Sequence, residues 1–415
     1  MRLLFVVLTG DGHIIPTLPL VRELVERGHV VQYATGAENA DAVRRSGADW
    51  VALPPLPPFA PPSRIGPEVL AVWLRHYFAA LSATYPVLVA HCAAARPDGV
   101  VYDATNWPAR LAARRAGVPA VRCLPHLASD GSFSMGDRMT AGLGEGDPAL
   151  AADCARFSAA HGVDLDVAGT LDVPEDLNLV FVPRRFQPGG DGFDERFRFL
   201  GPTAADRPGD FAPRDPGAPL VYVSLGSLLT DVAFYRTCAA ALGDGPWQVA
   251  MAVGGTDRAD LGPLPPTVEV RPRYPQPAVL RHAAAFVTHA GMNSTMEALR
   301  AGVPLVAVPR TPEQVVNAER VEQLGLGVHL SPDGLTARAL RDAVAGVVDD
   351  PAVRANLAAM RDEIAAAGGA ARGADEIERH LSPTAARGRT PRPMPPEPGG
   401  PARGRPLSGA LRRAG

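Results

Sequence analysis

Thr288-His289-Ala290-Gly291-Met292-Asn293-Ser294-Thr295-Met296-Glu297-Ala298-Leu299 is the stretch whose interpretation settles what kind of protein this is. Ala285 to Thr288 is a short apolar run, as expected of a strand covered on both faces, and Ser294 to Ala301 reads as a helix. Such a strand enters the helix through a turn of small residues around Gly291. The turn offers main-chain N–H groups and the positive helix end to an anion, and His289, Asn293, Ser294 and Thr295 add side-chain donors. It is not a GxxxxGK[ST] phosphate loop, because all 41 basic residues of the chain are Arg and none is Lys. Glu297 lies about one turn inside the helix, placed to accept hydrogen bonds from ribose hydroxyls. After a further strand, Leu305 to Val308, the segment Pro309-Arg310-Thr311-Pro312-Glu313-Gln314 opens a helix reaching about Leu324. Its carboxylate and amide suit sugar hydroxyls. An ordinary capped helix with a surface glutamate would explain either feature alone, but it explains the combination poorly.

The same strand-loop-helix grammar extends in both directions. Leu220 to Val223 is an apolar strand opening into the loop Ser224-Leu225-Gly226-Ser227, and Gln248 to Val253 reads as another strand. At the other end, Leu3 to Leu8 runs into Thr9-Gly10-Asp11-Gly12. A helix follows with Pro16 in its first turn, Leu20, Val21, Leu24 and Val25 at helical spacing, and Gly28 as its stop. His29 to Tyr33 completes a right-handed βαβ unit. Val100 to Tyr102, Trp107 to Ala116 and Ala120 to Leu124 repeat the pattern. The expected fold is therefore α/β, with two doubly wound, Rossmann-like domains facing each other across a cleft. The expected boundaries are an N-terminal domain over 1–205, a linker over 206–218, a C-terminal domain over 219–381 and a disordered Pro/Gly/Arg-rich tail over 382–415. Ligands of such sheets sit outside the carboxyl ends of the strands.

One such end carries Asp11-Gly12-His13-Ile14-Ile15-Pro16-Thr17, which places His13 in a loop just before a helix. A neutral imidazole there could accept a proton from a bound hydroxyl, given a carboxylate to fix its tautomer. Asp103, at the end of the strand Val100-Val101-Tyr102, is the candidate. Taken singly, His13 could equally be a surface or core histidine, and Asp103 could be a helix cap. An acceptor pocket is expected from Ile65 to Tyr85, with Trp73, His76, Tyr77 and Phe78, and from Pro125 to Met139. Helices packing on a core would have the same composition.

Length and composition restrict the function further. At 415 residues the chain has room for two or three domains, and its net charge of -3 gives no drive toward nucleic acid. The absence of Lys excludes Schiff-base catalysis through that residue. Cys92, Cys123, Cys154 and Cys238 form no CxxC pattern, which suggests a reduced, cytoplasmic protein. Leu3 to Leu8 is shorter than a signal-peptide core, and no window of about 18 apolar residues is expected elsewhere. No metal is expected either, since Asp349-Asp350 lies between helices and reads as a turn. The tail holds seven Arg and one Glu, so near-neutrality averages an acidic body and a basic extension.

His289 to Asn317, with Pro275-Gln276 upstream, resembles the nucleotide-sugar signature of the UDP-glycosyltransferase superfamily. With the opening Gly12-His13-Ile14-Ile15-Pro16-Thr17-Leu18-Pro19-Leu20-Val21 it is most similar to bacterial macrolide-type, natural-product glycosyltransferases. The resemblance runs to about Leu381. It implies a GT-B architecture in which the N-terminal half binds the acceptor and the C-terminal half the donor. It further implies that His13 is the general base and Asp103 its orienting carboxylate. His289, Gly291, Asn293, Ser294 and Thr295 would hold the pyrophosphate, Glu297 the ribose, and Glu313 and Gln314 the hexose; Gln276 is a further donor-side candidate, and Ser227 would add a hydroxyl. Where the family has an aromatic residue two positions before Pro-Gln, this chain has Arg273 and then Tyr274, so Arg273 is the candidate to stack on the base.

The resulting expectation is an inverting, metal-independent hexosyltransferase with no cofactor, using a nucleotide diphosphate sugar as co-substrate. Glu313 beside Gln314 favours a fully hydroxylated, UDP-glucose type sugar. The acceptor would be a small hydrophobic hydroxylated natural product such as a macrolide or polyketide. A dTDP-deoxysugar transferase of antibiotic biosynthesis is the alternative within the class; a sugar-nucleotide epimerase and a non-catalytic auxiliary protein are alternatives outside it. Neither nucleic acid nor membrane is an expected partner, and a monomer or homodimer is expected.

Overall fold

Leu3, Leu4, Phe5 and Val6 are fully buried, so β1 (Arg2–Val6) has no solvent face. A strand of this kind must be central and covered by helices on both sides. The structure, a computed structural model, describes residues 1–8, 10–55, 67–140, 148–171, 173–203, 209–226 and 229–382. Ser227, most of the Pro-rich segment 53–62, part of the linker and the tail beyond residue 382 lie outside them.

Around β1 lie β2 (Val30–Thr35), β3 (Asp49–Ala52), β4 (Gly99–Asp103), β5 (Ala120–Leu124), β6 (Asn178–Val180) and β7 (Phe197–Phe199). They form a parallel sheet of order β3-β2-β1-β4-β5-β6-β7. A second parallel sheet has the order β10-β9-β8-β11-β12-β13. Its strands are β8 (Leu220–Ser224), β9 (Gln248–Ala252), β10 (Val268–Arg271), β11 (Ala283–Thr288), β12 (Leu305–Ala307) and β13 (Gly327–His329). In each sheet the strand order reverses between two central neighbours, β1 and β4 in the first, β8 and β11 in the second. These reversals open a crevice at the carboxyl ends of the strands, and all the chemistry described below sits there.

Four expectations need correction. The first helix spans Asp11–Glu26, so His13 belongs to its opening turn rather than to a loop, and Pro16 and Pro19 lie inside the helix. The last helix, Gly369–Leu381, falls within the expected C-terminal domain 219–381 but packs on the N-terminal sheet. Its Ala374 and Ile377 share a core with Leu3, Phe5, Leu20 and Leu200, and Arg27 reaches Asp375 at 2.6 Å and Glu378 at 3.0 Å. Leu74–Ala95 is, contrary to expectation, long and apolar enough by composition to cross a membrane, with a mean hydropathy of 1.5. The stretch spans two helices, Pro67–Ser82 and Tyr85–Ala95, and buries Phe78, Leu81, Tyr85, Leu88 and Cys92 in the N-terminal core. Phe78, expected to line the acceptor pocket, is buried and stacks on Trp107 at 5.3 Å. Asp349 ends a helix, and Asp350 caps the next by accepting from Ala352 N–H at 2.7 Å.

Candidate active site

His13, in the opening turn of the helix that follows β1, and Asp103, at the end of the neighbouring β4, meet side chain to side chain. His13 Nδ1 lies 2.7 Å from Asp103 Oδ2; the imidazole is 28% exposed and the carboxylate fully buried. The other oxygen, Oδ1, accepts from Thr105 N–H at 3.0 Å and from Thr105 Oγ1 at 2.6 Å. Burial pushes the Asp103 carboxyl up, but His13 and the two Thr105 donors outweigh this and bring it down to about 2. An ionised carboxylate only accepts, so Nδ1 must carry the proton and Nε2 is left bare toward the cleft. Burial lowers the His13 pKa, but the Asp103 charge, its hydrogen bond and the more distant Glu313 raise it above the ordinary value overall. The ring of His126 lies 6.1 Å away, edge-on to His13, with its Nδ1 bonded to Leu127 O at 2.8 Å.

Across the cleft, the helix Met292–Ala301 starts from Gly291 with no side-chain cap, which leaves its first N–H groups available to an anion. Ahead of it, the His289 ring lies between two glycines. A Cβ on Gly226 would stand 2.9 Å from its Cε1, and one on Gly291 would stand 2.5 Å from its Nε2. Burial, assisted by the nearby Arg310, lowers the His289 pKa to about 4 despite a main-chain hydrogen bond to Ser224. This imidazole is neutral at physiological pH, and its one N–H is the donor in the contact with the Ser224 main chain. The cation is Arg310, paired with Asp231 at 2.9 Å and stacked over Phe234.

Gln276 Nε2 donates to Ser294 Oγ at 3.1 Å and to Glu297 Oε2 at 2.8 Å, gathering three expected residues at one spot. Thr295 is fully buried beneath the turn, and its hydroxyl has no hydrogen-bond partner among the described residues. Gln314 Oε1 accepts Arg310 N–H at 2.8 Å, so its amide nitrogen is the group left for a ligand, and Glu313 stands beside it at the start of the helix Pro312–Gln323. Asn293, expected to face the pyrophosphate, instead donates from Nδ2 to Gly12 O at 3.0 Å on the opposite domain. That carbonyl is free because Pro16, four residues on, has no N–H to return to it.

Two expected residues stand apart from this cluster. Tyr274 is core: its ring packs against Phe211 and Tyr222, and its hydroxyl donates to Glu269 O at 3.3 Å. Arg273 is exposed. The expectations gave no role of their own to Arg310, Asn317 or His126, although Asn317 closes the signature stretch and His126 lies in the segment expected to line the acceptor pocket. Position offered a signal for Arg310, which follows a strand end in a chain without Lys.

Comparison with known proteins agrees with this geometry. Residues 237–378 match the family described as erythromycin biosynthesis protein CIII-like, C-terminal domain. The NDP-glycosyltransferase YjiC of Bacillus licheniformis is 37% identical over 90% of this chain and 96% of its own length. The demethyllactenocin mycarosyltransferase of Streptomyces fradiae is 36% identical over 92% and 87%. The crystal structure of the calicheamicin glycosyltransferase CalG4 superposes with a TM-score of 0.80 at 37% identity, over 92% of this chain and 98% of that one. Taken with the two facing sheets and the crevice between them, these matches make the chain a GT-B glycosyltransferase, a bacterial member of the UDP-glycosyltransferase superfamily of the natural-product type.

Proposed function

We propose that this enzyme moves a hexose from a nucleotide diphosphate sugar, of the UDP-glucose type above all, to a hydroxyl of a small hydrophobic natural product. The transfer inverts the anomeric carbon and needs no metal ion. The observation that carries this reading is the His13–Asp103 pair facing the uncapped helix start across one cleft, bridged by Asn293 and Gly12. Its bare Nε2 takes the acceptor proton as the acceptor oxygen attacks the anomeric carbon, a transfer worth about 10² to 10⁴ in rate. The bond from that carbon to the diphosphate breaks, and its electron pair leaves with the phosphate oxygen. The developing charge meets the N–H groups at Met292 to Ser294 and the Arg310 field, both in place beforehand. Asp103 supports the imidazolium that forms.

Glu313 and the free amide nitrogen of Gln314 support a fully hydroxylated sugar, because a deoxysugar would leave a carboxylate unmatched. The names of the two relatives support a nucleotide-sugar donor and a natural-product acceptor. Four free, buried cysteines fit a reducing, cytoplasmic setting.

Calorimetric titration with uridine and thymidine diphosphates tests the donor, and the proposal expects the uridine form to bind at least about tenfold tighter. Tighter binding of the thymidine form would move the assignment to dTDP-sugars. Turnover of an accepted donor and aglycone pair should persist in excess chelator, with product of inverted configuration by NMR; loss of turnover in chelator would remove the metal-free mechanism.

A further inference from the structure

Ala290 has φ = +60°, a left-handed conformation that a residue with a Cβ adopts at a cost, yet it is fully buried in the turn between β11 and the donor helix. Both of its main-chain polar groups are tied down. Its N–H donates to Thr288 Oγ1 at 3.3 Å, and its carbonyl accepts from Asn317 Nδ2 at 3.0 Å. Its methyl packs with Ala307 of β12 and with Ala318, the neighbour of Asn317. Asn317 is itself fully buried. A buried amide spent on one main-chain carbonyl at a strained residue calls for an explanation beyond packing.

We infer that Asn317 is a positioning residue of the donor site: it holds the left-handed turn at Ala290, and through that turn it sets the His289 ring and the open helix start that receive the diphosphate. The inference rests on the donor reading above and specifies how that site is kept in shape. Rotation of Ala290 toward an ordinary conformation would swing the peptide joining it to Gly291. His289 has no slack for this, because Gly226 and Gly291 confine its ring on both sides. The same bond also sets a spacing between subsites. Asn317 lies four residues after Glu313 and three after Gln314, on one face of the helix Pro312–Gln323. One buried amide therefore registers the hexose side of the pocket against the diphosphate side.

The test compares wild type, Asn317→Ala and the isosteric Thr288→Val, which removes the acceptor of the Ala290 N–H. Each is titrated with uridine diphosphate and uridine, or with the thymidine pair if the wild type prefers it, alongside thermal melts. A positioning role predicts that Asn317→Ala weakens diphosphate binding and raises donor KM by about tenfold or more, while nucleoside binding stays within about twofold. Thr288→Val should show the same selective loss, smaller in size. Adding Ala290→Gly to Asn317→Ala should recover a substantial part of it, because glycine adopts the left-handed turn without cost. If the wild type binds diphosphate and both variants bind it equally well, the inference fails and the donor reading stands. Loss of nucleoside and diphosphate in parallel would show a merely structural role, and Thr288→Val decides the matter should Asn317→Ala not fold. A wild type that binds neither diphosphate sinks the donor reading and this inference with it.

Discussion

The imidazole of His13 is set by two opposing influences, and their balance predicts a pH profile. Burial favours the neutral ring, the Asp103 carboxylate favours the charged one, and the net result is a pKa above 6.5. A general base works only when neutral, so kcat/KM should fall as pH drops through a value above 6.5. In Asp103→Asn the attraction disappears and burial remains, so the acid limb should move to lower pH while the plateau rate falls. His13→Ala should lose about 10² to 10⁴ of turnover with a hydroxyl acceptor, and retention of more than a tenth would remove its role as base. The pair also affects stability with a definite sign. Asp103 is depressed from 3.8 to about 2, so its contribution is present above the unfolded value and is lost as pH falls through the folded one. On the donor side, Gly226 has φ = +78° and its missing Cβ would stand 2.9 Å from the His289 ring. Gly226→Ala should therefore weaken diphosphate binding by about tenfold or more and destabilise the fold by about 1–2 kcal/mol, read by titration and by urea unfolding. At this scale the sequence was informative where a polar residue closes or follows a strand, as with Asp103 and His289. It misled at Tyr274, because a ring beside a strand end can turn toward the core, and only Phe211 and Tyr222 from distant segments decide that it does.

Among elements, the strands were legible because those of a doubly covered parallel sheet are short, apolar runs. The helix Trp107–Ala116 and the strand Ala120–Leu124 fall where their sequence places them. The start of the first helix was not legible, and Pro16 explains why. A proline inside a helix removes the hydrogen bond to the fourth residue back, so local logic sets it in the first turn. Here Gly12 O, left without its intrahelical donor, is satisfied by Asn293 from another domain, some 280 residues along the chain. No local pattern encodes that partner. Because this bond joins the turn holding His13 to the start of the donor helix, Asn293→Ala should lower kcat/KM. It should also cost about 1 kcal/mol in urea unfolding. An unchanged midpoint and an unchanged rate would show that the bond is incidental.

At the scale of the molecule, length left two or three domains open, and the repeated strand-loop-helix pattern supplied the common architecture of two halves but not their membership. The chain crosses between the sheets twice, once through 201–218 and again between the helices Pro351–Ala366 and Gly369–Leu381. The second crossing was hidden because a helix with one apolar face does not declare which sheet it covers. Ile377 and Ala374 would suit either. Two shortened chains separate the outcomes: ending at Ser382 should leave thermal stability and turnover unchanged, whereas ending at Ala366 should abolish cooperative unfolding of the N-terminal half. Equal behaviour of the two would remove the structural role assigned to the last helix.

That helix also imposes an order on biogenesis. A ribosome emits the N-terminal strands first, yet the core around Leu3, Phe5, Leu20 and Leu200 is not closed until Ile377 has emerged. During synthesis the N-terminal half must therefore wait with one apolar face uncovered while the entire C-terminal half is made. The C-terminal sheet, whose strands run from Leu220 to His329, is the part that can finish first. For this chain His13 is among the earliest residues made, and its domain is among the last to become complete.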